Sequence, residues 1–218
     1  MSTPTNTLDA AKRESPLEPG AKLERRLPPF YALFFYAFAA VLAWILLYHN
    51  NPGRSLELWA PPNWASCLGI GIAAGAILVG LSILVVKRFA WARALEAEFG
   101  WILGAQRGWE IAWVALLSGC AEEYLFRGAL QEVWGVWLAA AVFALIHWPV
   151  NRNFLPWPFV AGVIGLGLGG LVLWTGSLLA PVTAHVIVNG VNLWRMTRRY
   201  RTWDEARVNA FVETGKWS

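Results

Sequence analysis

Two long stretches without a charged residue constrain the fold of this chain more than any other feature. They run from Phe30 to Tyr48 and from Cys67 to Val86, and both are almost wholly apolar. A helix rises about 1.5 Å per residue, so about 20 residues cross the roughly 30 Å of hydrocarbon in a bilayer. Hydrophobic residues fill 57% of the 218 positions, more than a soluble domain normally carries. The sequence therefore predicts an all-α protein that crosses a membrane several times.

Four further apolar segments follow, separated by residues that turn or stop a helix. Gly135, the proline-rich segment WPVNRNFLPWP and the short segment TGS mark these breaks. Together with the first two stretches, the segments predict a bundle of about six spans. The four further segments are Trp109 to Trp134, Val136 to Trp148, Phe159 to Trp174 and Leu178 to Trp194.

An amphipathic pattern occupies residues 87–100, which follow the second apolar stretch. Its apolar residues recur every four positions, and its charged residues fall on the opposite face of a helix. The apolar residues are Trp91, Leu95 and Phe99, and the charged residues are Arg93, Glu96 and Glu98. We expect an amphipathic helix that lies in the membrane interface.

Basic residues are concentrated in the two tails and in the loop that contains Lys87 and Arg88. Because short cytoplasmic loops of membrane proteins are rich in lysine and arginine, both termini are predicted to be cytoplasmic. We expect a flexible cytoplasmic tail over residues 1–29, a transmembrane domain over 30–197 and an amphipathic cytoplasmic tail over 198–218. The same charges suit the anionic headgroups of membrane lipids as partners, and not nucleic acid.

Charged residues inside the predicted spans are the strongest functional signal in the sequence. Each costs about 2.5 to 3.5 kcal/mol to insert into a membrane, so a span that keeps several usually does so for function. The third span carries Glu122, Glu123 and Arg127. Glu123 and Arg127 are four residues apart with the acid first, which favours an ion pair on one helical face. This pair is open to two interpretations, a structural role and a direct catalytic role.

Glu122 points about 100° away from the acid beside it and needs another partner. If the chain turns near Gly135, Glu122 lies about thirteen residues before the turn and His147 about twelve after it. Two antiparallel helices then place both residues at the same depth. His185 and Asn189, four residues apart in the last span, also lie inside the bilayer.

These side chains fit the hydrolysis of an amide bond. A carboxylate such as Glu122 can take a proton from water, and an imidazole such as His147 can hold that water or protonate the leaving amine. His185 and Asn189 can donate hydrogen bonds to the oxyanion that forms when a carbonyl is attacked. The alternative interpretation is that all four are packing residues, but the cost of such groups in lipid argues against it.

The same residues resemble the motifs of a known family. Glu122-Glu123-Tyr-Leu-Phe-Arg127 fits EExxxR, Phe143-Ala-Leu-Ile-His147 fits FxxxH and His185-Val-Ile-Val-Asn189 fits HxxxN. In this order on membrane helices, they are similar to the motifs of the CPBP intramembrane proteases. These proteases are relatives of type II CAAX prenyl endopeptidases and of bacteriocin-processing, immunity and abortive-infection proteins.

The resemblance covers residues 109–192 and implies that they form the catalytic core of a protease domain in a bacterial cytoplasmic membrane. Glu122 and His147 match the family's water-activating pair, whereas His185 and Asn189 match its oxyanion-stabilising pair. The residues expected to support the site are Glu123, Arg127 and Phe143.

The need for a metal is left open by the sequence. Glu122, His147 and His185 would make a zinc site with two histidines, one carboxylate and an open position. The HExxH motif of many zinc proteases is absent, however, and the resemblance favours water activated by a glutamate without a cofactor.

The expected substrates are membrane-tethered peptides or proteins, such as a lipidated C-terminal tail, a sorting segment or a peptide precursor. The main rival function is a non-catalytic immunity or scaffold protein that keeps the fold. A transporter is a weaker alternative, because the first two spans carry no charged side chain and no inverted repeat is visible.

Overall fold

The computed structural model describes residues 29–51, 53–148 and 155–200, and these residues form helices and short connections without a β-strand. The predicted all-α class is confirmed. In chain order the helices are α1 (Pro29–Asn50), α2 (Arg54–Trp59), α3 (Trp64–Arg88), α4 (Ala90–Leu103), α5 (Gly108–Glu123), a π-helical segment (Tyr124–Leu130), α6 (Gln131–Ile146), α7 (Pro156–Thr175) and α8 (Leu179–Tyr200). The predicted tails lie almost wholly outside the described residues, as does the loop around Arg152.

Four helical stretches of the described residues are long and apolar enough to cross a membrane. They are Phe30–Asn50, Trp64–Arg88, Gly108–Ile146 and Pro156–Thr175. The last helix, α8, is not among them, since His185, Asn189, Asn192 and the arginines of its second half make it less apolar. The multi-pass character is therefore supported, whereas the count of six spans stays a prediction.

The stretch from Gly108 to Ile146 folds back on itself at Gly135. This glycine has φ of 76° and ψ of 169°, a conformation open to glycine and strained for other residues. The rings of Phe126 and Phe143 lie 4.9 Å apart, although a straight helix would separate these residues by about 25 Å. The turn predicted near Gly135 is confirmed, and it makes two antiparallel passes.

Helix α8 packs closely against α3 and α5 because glycines face it from both helices. A Cβ atom at Gly71 of α3 would lie 2.5 Å from the carbonyl oxygen of Ala180, and one at Gly119 of α5 would lie 2.5 Å from a methyl group of Val186. Small residues commonly allow such close approach between membrane helices. This packing brings the polar face of α8 against the acidic end of α5.

The helices alternate in direction, so α1, α5 and α7 run away from one end of the bundle and α3, α6 and α8 run toward it. We call it the basic end. It carries Lys87, Arg88, Arg195, Arg198 and Arg199. The start of α1 and the end of α8 therefore lie on the same side of the bundle, which agrees with the prediction that the two termini share a side of the membrane.

Helix α4 is present where the amphipathic helix was predicted, but its acidic face is not in water. Glu96 and Glu98 are each only 4% exposed, and Trp91 is the more exposed residue at 37%. Glu96 is ion-paired with Arg195, 3.2 Å away, and with Arg199. The sequence pattern predicted an exposed Glu96 because its partners lie about 100 residues later in the chain.

Candidate active site

Two adjacent buried acids end helix α5, and they face different partners. Glu122 is 9% exposed and Glu123 is fully buried. The seven residues that follow, Tyr124–Leu130, form a π-helical segment. Such segments are rare and frequently occur at functional sites.

The predicted ion pair between Glu123 and Arg127 is present, with 3.0 Å between Oε1 and Nη1. Arg127 is 2% exposed, and its guanidinium lies 4.4 Å from the ring centre of Phe143. An arginine above an aromatic ring gains a further electrostatic attraction when it is removed from water. The three residues expected to support the site therefore form one contact group.

His185 from α8 joins this group through Glu123. Its Nδ1 lies 2.7 Å from Glu123 Oε1, and its Nε2 lies 4.0 Å from Glu122 Oε2. Because a carboxylate only accepts hydrogen bonds, Nδ1 carries a proton and donates it to Glu123. The sequence indicates only Arg127 as a partner of Glu123, because no spacing within one helix could reveal this second contact.

His147 at the end of α6 is oriented by its own helix and by aromatic rings. Its Nδ1 lies 2.7 Å from the carbonyl oxygen of Phe143, one turn earlier. A carbonyl only accepts, so Nδ1 carries the proton and Nε2 of the neutral ring can accept one. The ring of Trp157, at the start of α7, lies 5.9 Å from the imidazole. His147 is thus held in a form suited to a general base.

Asn189 lies one turn beyond His185 on the same face of α8. Its side-chain Nδ2 donates a 2.8 Å hydrogen bond to Ser118 Oγ on α5. An amide nitrogen has two N–H groups, so one remains for another acceptor.

All four residues predicted to be catalytic line one cavity of about 540 Å³. They are Glu122, His147, His185 and Asn189. Residues from α5, α6 and α8 therefore line one cavity, with Glu122 Oε2 and His185 Nε2 4.0 Å apart, and the chemical roles of all four stay predictions. The size of the cavity lies within the range of small-molecule and peptide side-chain sites.

The cavity extends from this cluster toward the basic end. It is lined along α8 from His185 to Met196 and along α5 from Glu122 to Glu110, which corresponds to about 16 to 18 Å of helix. Most of its wall consists of apolar side chains. The polar cluster is therefore at the inner end of a long apolar cavity.

A metal-ligand set is not assembled in the part of the chain that the structure describes. There, no three His, Cys, Asp or Glu side chains are grouped closely enough to hold a metal ion. His185 also directs Nδ1 to Glu123, and His147 directs Nδ1 to a backbone carbonyl. Both contacts leave Nε2 available, as in histidines that ligate metals, so the choice between the zinc alternative built from Glu122, His147 and His185 and a metal-free site stays a prediction.

Two further polar residues reach the site without having been predicted. Tyr36, from α1, lines the same cavity as Glu122 and Ser118. Ser118 is 1% exposed and lies one turn before Glu122. The available signal was a hydroxyl-bearing residue within an apolar span, and this signal is too common to single out either residue.

Comparisons with known proteins agree with this location of the site. A family model described as Type II CAAX prenyl endopeptidase Rce1-like matches residues 104–191. The chain is also similar to YpbD, an uncharacterized protein of Bacillus subtilis (strain 168), with 41% identity over 81 residues. This alignment covers 37% of the chain and 42% of the length of YpbD. No solved structure matches the chain. The family resemblance predicted from the three motifs is therefore confirmed for residues 104–191, which are similar to the Rce1-like family.

Proposed function

We propose that this protein is an intramembrane endopeptidase in which Glu122 and His147 activate a water molecule. The observation that carries the proposal is the shared cavity, where both residues meet His185 and Asn189 inside an apolar bundle. The match of residues 104–191 to an endopeptidase family supports the same reaction class.

In the proposed first step, the Glu122 carboxylate takes a proton from water and the water oxygen attacks the peptide carbonyl carbon. The π electrons of the carbonyl move to its oxygen. Asn189 has a second N–H for this oxyanion, and a protonated His185 has one at Nε2, 4.0 Å from Glu122. His147 holds the water through Nε2, because its Nδ1 is bound to Phe143.

In the second step, the oxyanion re-forms the carbonyl and the bond between carbon and nitrogen breaks. The leaving nitrogen takes the proton that Glu122 removed from water. The second water proton stays on the new carboxylic acid. Glu122 ends the cycle as a carboxylate, so no other reactant is required.

The form of the cavity supports an apolar or lipidated tail as the substrate. Its wall is mainly apolar, and it extends for about 16 Å from the polar cluster to the basic end. A chain that enters from the cytoplasmic surface, where we place the basic end, can reach Glu122 while a lipid group stays among apolar side chains. A membrane-tethered C-terminal segment of the CAAX type has this chemistry.

The test is cleavage of a farnesylated peptide with a CAAX C-terminus by the purified protein in detergent, followed by mass spectrometry. The wild-type protein is expected to cleave it and, in H₂¹⁸O, to place one ¹⁸O in the new carboxyl group. Glu122→Gln and His147→Ala, at equal abundance, are expected to lose cleavage by ~100-fold or more. Retention of cleavage in both variants would reject this mechanism. A folded wild-type protein that cleaves neither this peptide nor unmodified membrane-anchored peptides would favour the non-catalytic immunity or scaffold function.

A further inference from the structure

We propose that Asn192 binds the main chain of the substrate, with its side-chain amide donating a hydrogen bond to the carbonyl two residues before the scissile one. The inference rests on the proposed function, since it assigns a binding residue to the same site. Asn192 lies on α8, just beyond the segment 104–191 that matches the family. It lines the cavity between the polar cluster and the basic end.

The side-chain oxygen of Asn192 already has its partners. Ser82 Oγ on α3 lies 2.9 Å from Asn192 Oδ1, and Arg195 Nη1 donates to the same oxygen at 3.3 Å. The Ser82 hydroxyl also lies 3.0 Å from the carbonyl oxygen of Val79, so its single proton is shared between two acceptors. An arginine can only donate, so the contact with Arg195 identifies the atom that it meets as the amide oxygen. The orientation of the amide is therefore fixed.

The side-chain nitrogen of Asn192 is available for a ligand. An amide nitrogen carries two N–H groups, and within the described part of the chain neither of them donates to another residue. The residue is half-buried in a mainly apolar cavity wall, where a polar group without a partner costs free energy. A carbonyl oxygen of a bound peptide is the complementary acceptor.

The position of Asn192 fits the repeat of an extended peptide. His185, Asn189 and Asn192 are separated by four and three residues, so they share one face of α8, and all three line the cavity. The point midway between the two proposed oxyanion donors lies five residues before Asn192, which is about 7.5 Å along the helix. In an extended chain, carbonyl groups that point the same way recur every two residues, or about 6.6 Å. A peptide whose scissile carbonyl meets His185 and Asn189 therefore places a second carbonyl near Asn192.

The direction of the bound chain decides which carbonyl this is. In the proposed function, the C-terminal tail of a substrate enters from the basic end, and the rest of the substrate stays outside the membrane. Helix α8 runs from the polar cluster toward the basic end, so the part of the substrate before the scissile bond passes Asn192. The matching acceptor is the carbonyl two residues before the scissile one.

The first test compares Asn192→Asp with Asn192→Leu in the farnesyl-peptide assay. Aspartate keeps an oxygen for Ser82 and Arg195 but has no N–H group, whereas leucine has neither. Both variants are expected to raise KM ~3- to 10-fold with kcat changed by less than about twofold, because the lost contact lies away from the reacting atoms. A wild-type KM in Asn192→Asp would show that Asn192 only joins α3 to α8, and it would overturn the inference.

Asn50→Asp is a matched control for this change. Asn50 is the last residue of α1, at the opposite end of the bundle, and its Nδ2 donates to the carbonyl oxygen of Leu46. The same replacement there is expected to alter neither kcat nor KM by more than about twofold.

Changes in the peptide identify the atom that Asn192 contacts. An alkene in place of the amide group two residues before the scissile one removes the proposed acceptor. This peptide is expected to raise KM ~3- to 10-fold with the wild-type protein and by less than about twofold with Asn192→Leu. An alkene two residues after the scissile carbonyl is the control, and it is expected to affect both proteins equally. Equal effects of the first alkene on both proteins would overturn the inference and leave the proposed function intact.

A binding measurement gives a readout that does not depend on cleavage. A fluorescent farnesyl peptide with a ketomethylene group in place of the scissile amide cannot be hydrolysed, and fluorescence anisotropy in detergent measures its Kd. The Kd is expected to rise ~3- to 10-fold in both Asn192→Asp and Asn192→Leu. A wild-type Kd in both variants, or a wild-type protein that does not bind the peptide, would overturn the inference. A wild-type protein without cleavage would count against the proposed function, and the binding comparison would then decide the inference.

Discussion

Two buried acids on neighbouring parts of the bundle, Glu96 and Glu122, differ in the partners that surround them. Glu96, near the basic end, is 4% exposed and bound by Arg195 and Arg199. Glu122, at the inner end of the cavity, is 9% exposed, and the cationic group nearest to it among the described residues is the His185 imidazole at 4.0 Å. The first acid is neutralised by permanent charges, whereas the second faces a cavity.

The partners of a buried acid therefore distinguish a structural role from a catalytic role better than its exposed fraction does. A carboxylate held by two arginines has its lone pairs occupied and gains stability from its partners. A carboxylate that faces an open cavity, with a hydroxyl and an imidazole beside it, can exchange protons with a bound water. Glu123 resembles the first kind in its ion pairs, because Arg127 and His185 share its Oε1, but its buried Oε2 has no hydrogen-bond partner among the described residues. We propose that Glu123 holds His185 in place.

The largest effect on stability is expected from Glu123→Gln. The change keeps the volume of the side chain and leaves the 2%-exposed Arg127 as a buried charge without its partner. Loss of one partner of such a pair costs about 3 to 5 kcal/mol, measured by unfolding in detergent. The double variant Glu123→Gln with Arg127→Met is expected to recover much of this loss. A single variant as stable as wild type would show that the pair is not buried as described.

A smaller loss is expected from Glu96→Gln. Arg195 and Arg199 have side chains that are 21% and 43% exposed, so both can turn to water when the acid is removed. The free energy of unfolding should fall by about 1 to 2 kcal/mol, with kcat/KM within about twofold of wild type. Glu57→Gln is a matched control, because its side chain is 69% exposed and its removal should change stability by less than about 0.5 kcal/mol. A loss of cleavage in Glu96→Gln without unfolding would erase the distinction between the two acids.

Ser82→Ala tests the region between Glu96 and Glu122, and a smaller loss in the free energy of unfolding is expected. Ser82 Oγ on α3 donates a 2.9 Å hydrogen bond to Asn192 Oδ1 on α8, and Arg195 also donates to this oxygen at 3.3 Å. Since the acceptor keeps a partner, the loss should be about 1 kcal/mol or less. A loss above 3 kcal/mol, measured by the same unfolding assay, would mean that α3 and α8 depend on this contact far more than their glycine packing suggests.

The smallest effect is expected from a metal chelator. The described histidines and acids are not grouped as metal ligands, so incubation with EDTA should leave cleavage within about twofold of the untreated protein. Activity that is lost with the chelator and restored by zinc would support the zinc alternative. A titration with cadmium and zinc, followed by mass spectrometry under native conditions, would then identify the bound ion.

The sequence predicted the parts of this site that depend on spacing within one helix or across one turn. The ion pair between Glu123 and Arg127 followed from a separation of four residues, and the turn at Gly135 followed from a glycine between two apolar segments. The convergence of Glu122 and His147 followed from their equal distance to that turn. These features are set by helix geometry, which is the same in every protein.

The remaining features depend on contacts between helices that are distant in the sequence. Glu96 was expected on the charged face of an interfacial helix, because nothing nearby shows that arginines about 100 residues later will cover it. The contact of His185 with Glu123 and the place of Tyr36 in the cavity wall depend on the rotation of α8 and α1 around their axes. Packing fixes those rotations, and a hydrophobic pattern leaves them undetermined when a helix is apolar on all sides.

The central claim is that Glu122 performs chemistry and that Glu96 stabilises the fold. It is tested most directly by measuring kcat/KM for Glu122→Gln and Glu96→Gln side by side, with the same peptide, detergent and protein concentration. Both variants undergo the same chemical change at a buried acid. We predict that Glu122→Gln loses at least ~100-fold in kcat/KM while Glu96→Gln stays within about twofold of wild type. Equal activities in the two variants would contradict the account.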